Sequence, residues 1–160
     1  MSKFRRKFMI EDRLRELSIE LPTPPSPAGS YIPVVTTGSL AFVSGQIPMK
    51  EGKVIFEGKV PEQQSLESAR DAAKICIING LAQLKANLGS LDKITKFVRI
   101  SGFVNSNPEF TEQPKVINAA SDLLVEIFGD MAKHSRIAVG VASLPLNSTV
   151  EIDMVVEFST

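Results

Sequence analysis

Apolar residues recur along this chain with two periods, and the switches between them mark out its elements. Ile10, Leu14 and Leu17 stand at helical spacing among charged neighbours and predict a short amphipathic helix over 10–17. Four prolines among residues 22–27 end it, because proline fits neither a helix interior nor a central strand, and leave an extended connector. Residues 32–35 and 40–44 are β-branched or apolar runs separated by Thr-Thr-Gly-Ser, a strand, turn and strand. A further turn over 50–53 leads to a third short strand at 54–56. Leu66, Ala69, Ala73, Ile77, Leu81, Leu84 and Leu88 then form one face of a long helix, with Pro61 suited to its first position and Gly89 just past its end. Residues 94–104 alternate as a strand. Val116, Ile117, Ala120, Leu123, Leu124 and Ile127 mark a second strong helix with Pro114 near its start.

The order β-β-β-α-β-α-β-β suits an α+β two-layer sandwich, a six-stranded, largely antiparallel sheet with two long helices on one face. Residues 1–28 form a helical extension and proline-rich connector that the body, 29–160, is expected to fold without.

The densest chemistry lies at 134–153. Residues 136–142 put Ile137, Val139 and Val141 on one face and Arg136, Ala138, Gly140 and Ala142 on the other. An Arg on a strand is ordinarily solvated. Here it stands beside three small side chains, and Gly within a strand often marks the close approach of a ligand or another backbone. A small molecule could lie on this floor with the guanidinium reaching over it. Residues 144–148 turn the chain, and Val150, Ile152, Met154, Val156 and Phe158 alternate inward with Glu151, Asp153 and Glu157 outward. A regular hairpin would set Glu151 beside Ala142, roughly 20 Å from Arg136 at about 3.3 Å per residue. The two could then share one ligand only if Glu151 came from another subunit. The mixed second face of the sheet likewise calls for water or a covering subunit.

Composition narrows the chemistry. With 18 basic and 18 acidic residues the net charge is zero, so beyond the short basic start Lys3, Arg5, Arg6, Lys7 there is no electrostatic footprint for nucleic acid, and one Tyr offers little base stacking. The single Cys, Cys76, lies near the apolar face of the first long helix and reads as a small buried hydrophobe in a reducing compartment. The single His, His134, excludes a His cluster for zinc and cannot face Ser135 on a strand; it reads as a satisfied strand-end residue. The glycines form neither G-x-G-x-x-G nor a P-loop. No signal peptide or membrane-length apolar run is present, and a cytoplasmic protein is expected.

Two motifs, Ser44-Gly-Gln-Ile-Pro48 and Ser135-Arg136-x-x-Val139-x-Val141-Ala142-x-Leu144-Pro145 followed by Glu151-Ile152, resemble the RidA or YjgF-like family of reactive-intermediate imine deaminases. Gly29-Ser30-Tyr31 resembles its Gly-Pro-Tyr, and Val116-Ile-Asn118 its Val-Asn. The resemblance runs from about Gly29 to the end. It implies a homotrimer of chorismate-mutase-like subunits with clefts between them, and cofactor-independent hydrolysis of enamines and imines such as 2-aminoacrylate to a 2-keto acid and ammonia. Arg136 would grip the substrate carboxylate and Glu151 would hold the attacking water, with Tyr31, Ser44, Gly45, Asn118 and the backbone at Ala138 lining the cleft. Ala138 stands where Cys is usual in the family, Pro33 where Gln often follows the Tyr, and Gly140 where an acidic residue is frequent. The residues themselves leave open a non-catalytic module that binds a small 2-keto acid or amino acid at Arg136; turnover distinguishes the two.

Overall fold

The computed structural model describes residues 8–24 and 29–160. The basic start and the middle of the proline connector lie outside the described residues. Ten elements follow in order: α1 (Ile10–Glu16), β1 (Val34–Thr37), β2 (Leu40–Gln46), β3 (Met49–Lys50), β4 (Lys53–Val54), α2 (Leu66–Leu88), β5 (Ile94–Asn105), α3 (Gln113–Phe128), β6 (Ser135–Val141) and β7 (Val150–Phe158). The architecture is α+β, two long helices on one face of a mostly antiparallel sheet.

That sheet has five strands, in the order β1-β2-β7-β5-β6. The expected sixth is absent because β3 and β4 pair only with each other as a small separate hairpin. The expected hairpin between β6 and β7 also does not form. Strand β5 lies between them, parallel to β6 and antiparallel to β7. A parallel pair needs a crossover, and α3 supplies it. Strand β7 suits a central place: Val150, Ile152, Met154 and Val156 are all buried on the helix side. Strand β6, interrupted by Gly140, takes the edge.

The core sits between this face and the helices, with Phe97, Ile100 and Val104 of β5 meeting Ile77, Leu81 and Leu84 of α2 and Ile117 and Leu124 of α3 in one cluster. Helix α2 begins after Ser65, whose Oγ accepts from the Ser68 N–H at 3.0 Å, so Ser65 and not Pro61 sets its start. It ends at Gly89, held at φ 85°, where a side chain would be strained. Gly102 is required by packing, since a Cβ there would lie 2.5 Å from Ile117 Cδ1 of α3. Helix α1 docks on this body. Leu14 is buried, the Ile10 N–H donates to Asp92 Oδ1 at 2.9 Å, and Arg13 Nε donates to the Glu126 carbonyl at 2.9 Å.

Candidate active site

The two strands that carry the expected site residues present them on opposite faces of the sheet. In the strand register Arg136 pairs with Ile100, which is buried beneath the helices, whereas Glu151 pairs with Phe103, one of the residues that point the other way. The expected residues therefore fall into two groups.

The first is built on β6 and α3. Arg136 turns its guanidinium onto the first half of α3, donating from Nη2 to Asn118 Oδ1 at 2.7 Å and to the Pro114 carbonyl at 3.3 Å, and from Nη1 to Ser121 Oγ at 3.0 Å. Asn118 and Ser121 reach it together because residues three apart share a helix face. Ala138 lies two residues along the same face of β6. The small residues beside Arg136 have a packing role too: a Cβ on Gly140 would lie 2.6 Å from Ser106 Oγ and 2.7 Å from Gln113 Nε2, so the bare floor at Gly140 is covered by the chain entering α3. His134 is also drawn in, its Nε2 2.9 Å from Ser121 Oγ and its Nδ1 2.5 Å from the Ala132 carbonyl. Burial holds its pKa below the ordinary value, the nearby Arg136 charge acts the same way, and the Ala132 carbonyl partly offsets both. Neither Ser121 nor the partnership of His134 was legible as site chemistry, although the three-residue step from Asn118 to Ser121 was the available signal.

The second group gathers where β2 passes β7. The pairing of these strands shifts between Val43 and Gln46, and this bulge lays Gly45 against the Glu151 carboxylate. A Cβ on Gly45 would fall within 2.1 Å of Glu151 Oε1, so the carboxylate rests on bare backbone. Tyr31, Gly45 and Glu151 line one cleft of about 470 Å³, with Pro33, Ile47, Met49, Asn79, Gln83 and Leu146 among its other walls. Ser44 sits at its margin and donates from Oγ to the Ile32 carbonyl at 3.0 Å. Burial pushes the Glu151 carboxyl above the ordinary range, and the Asp153 charge two residues along adds to it. Cys76 is fully buried under this sheet, and burial, reinforced by the Glu151 charge, pushes its thiol well up; it is packing and not a nucleophile.

The family model described as "YjgF/chorismate_mutase-like, putative endoribonuclease" matches residues 11–158. The chain belongs to the RidA/YjgF-like family. The Trypanosoma cruzi protein TCP17 is 39% identical over 151 residues, covering 94% of each chain. A 2-iminobutanoate/2-iminopropanoate deaminase of the mite Dermatophagoides farinae is 30% identical over 139 residues, 86% of this chain and 93% of its own. The crystal structure of a protein of unknown function from Agrobacterium tumefaciens superposes with a TM-score of 0.88 at 46% identity, covering 94% of this chain and 92% of that one. The family match includes most of α1.

Proposed function

We propose that this RidA/YjgF-like protein hydrolyses reactive enamine and imine intermediates in clefts between the subunits of a homotrimer. The supporting observation is the split site. Arg136 projects from the helix face of the sheet onto Asn118 of α3, whereas Glu151 projects from the other face beside Gly45 and shares a cleft with Tyr31, so the two groups meet around one small ligand only when two copies adjoin. The mite deaminase among its relatives points to the same reaction class.

The residues suit that chemistry. A guanidinium donates charge-assisted hydrogen bonds to a carboxylate and keeps its charge at any physiological pH. In a 2-imino acid the imine carbon is already electrophilic, so a positioned water suffices. Water adds to that carbon while Glu151 accepts its proton, the carbinolamine collapses to the keto group, and the amino group leaves as ammonia after regaining a proton. The sum is imino acid plus water giving 2-keto acid plus ammonia, with no change in oxidation state. A carboxylate whose pKa is raised by its surroundings is a better base for this step than an ordinary one.

The test is ammonia release from 2-aminoacrylate generated in the assay. Acceleration over buffer is expected with the wild type and not with Arg136→Ala or Glu151→Ala. Folded wild-type protein that binds 2-oxobutanoate yet leaves the buffer rate unchanged would reduce the reading to a binding module.

A further inference from the structure

We propose that the single histidine of this chain positions the substrate-binding guanidinium, with His134 holding the Ser121 hydroxyl and that hydroxyl holding Arg136. The inference rests on Arg136 as the carboxylate holder.

The direction of every hydrogen bond in the array follows from what each group can donate. The Ala132 carbonyl only accepts, so the His134 Nδ1 beside it carries the ring proton, and in the neutral ring Nε2 is left as an acceptor. A guanidinium only donates, so Ser121 Oγ accepts from Arg136 Nη1 at 3.0 Å. The hydroxyl proton of Ser121 then has one use in this array, donation to His134 Nε2 at 2.9 Å. The chain runs one way, from Arg136 through Ser121 and His134 to the Ala132 carbonyl. Burial and the Arg136 charge both favour the neutral ring that this polarity needs.

The consequence is a guanidinium fixed before a ligand arrives. Three acceptors of α3, at Pro114, Asn118 and Ser121, take both Nη2 protons and one Nη1 proton, and leave Nε–H and the second Nη1–H as single donors for a carboxylate. Arg136 lies on the edge strand, where a long side chain would otherwise sample many rotamers and lose them on binding. His134 does not touch the ligand in this scheme; it acts through Ser121. A mere tie between α3 and β6 would contribute to stability and leave ligand affinity alone, which separates the two roles by experiment.

The presence of one histidine makes the test direct, because protein labelled with ¹⁵N-histidine gives a single pair of ring signals. In the wild type these should report the neutral Nδ1–H tautomer, and Nε2 should shift when 2-oxobutanoate binds, although the ring makes no contact with it. Ser121→Ala should abolish that response and raise the calorimetric Kd for 2-oxobutanoate about tenfold, the effect of one hydrogen bond to a charged group. Ser121→Thr, which keeps the hydroxyl, and His134→Gln, whose amide oxygen can accept from it, should retain affinity within about threefold on the same scale. If Ser121→Ala does not fold, His134→Leu breaks the array one link further on and should give the same loss. A wild type that binds while both breaking variants bind equally well overturns the positioning role. A wild type in the Nε2–H tautomer overturns it as well. A protein that binds neither 2-oxobutanoate nor pyruvate overturns the carboxylate site and this inference with it, whereas binding lost in Ser121→Ala supports the inference whether or not imines are turned over.

Discussion

Glu151 and Gly45 are the residues whose roles are most exposed to a single substitution. Gly45→Ala would drive a methyl group into the carboxylate, and displacing a reacting group by about 1 Å costs on the order of 10²-fold in rate. A fall of that size in kcat, with an unchanged thermal melt, is the expected outcome. The pH dependence follows from the raised pKa of Glu151. Its carboxylate form is disfavoured in the folded protein, so as pH falls, activity should decline at a pH above the ordinary carboxylate range. The stability sign runs the other way: the group favours the fold below its unfolded pKa, and that contribution is lost as pH rises through the folded one. Glu151→Gln should therefore melt at or above the wild-type temperature at neutral pH, with the difference closing in acid, while losing turnover. At this scale the sequence motifs contain Arg136 and Asn118, and Tyr31, Gly45 and Glu151. Ser121 and the partner of His134 stayed hidden, because a hydroxyl on a helix and a ring just ahead of a strand show no relation until α3 packs against β6.

Among the elements, alternation along β7 told which residues face the core and left open which strands flank it. A period of two is the same for a hairpin and for a strand inserted between two others. The short turn over 144–148 suggested a hairpin, yet β7 goes past β6 to pair with β5 and β2, where four of its five inward residues are buried and Phe158 is partly buried against the core. Helix α1 shows the opposite situation. Its spacing of Ile10, Leu14 and Leu17 predicted an apolar stripe, and what the stripe packs against came only with the structure. Leu14 is 2% exposed in the core cluster, and Glu11 pairs with Lys85 of α2 at 2.7 Å. Leu14→Ala should lower the stability to urea by about 2–5 kcal/mol, the usual range for a large-to-small change in a core. A loss under 0.5 kcal/mol would mean that α1 contributes little and that the body folds without it.

For the whole molecule, the decisive fact is that, among the described residues, helices cover the sheet on one side only. Its other face carries Val35, Phe42, Ile137 and Val139, each between 38% and 49% exposed, and these span the sheet from β1 to β6. The face is mixed, since Arg99, Ser101, Glu151 and Asp153 of the central strands stand between these apolar residues, and a half-exposed face of this kind suits association with another subunit. The register also replaces the hairpin estimate of the distance between Arg136 and Glu151. Glu151 is level with Val139, three residues from Arg136 and two strands away, so their backbones are about 14 Å apart from the strand rise and spacing, with side chains on opposite faces. One small ligand cannot touch both within a chain. The proposed trimer should thus appear by light scattering at micromolar concentration, with a monomer as the contrary result. Arg136→Ala should weaken 2-keto acid binding by about 2–5 kcal/mol, the cost of removing one member of a buried charged pair. Subunits carrying Arg136→Ala and subunits carrying Glu151→Ala, each inactive alone, should recover part of the wild-type rate when unfolded together and reassembled, since some interfaces then hold a native Arg136 from one copy and a native Glu151 from the next. Reassembled trimers that stay inactive while wild-type controls recover would place the chemistry within a single chain, against the geometry of the sheet.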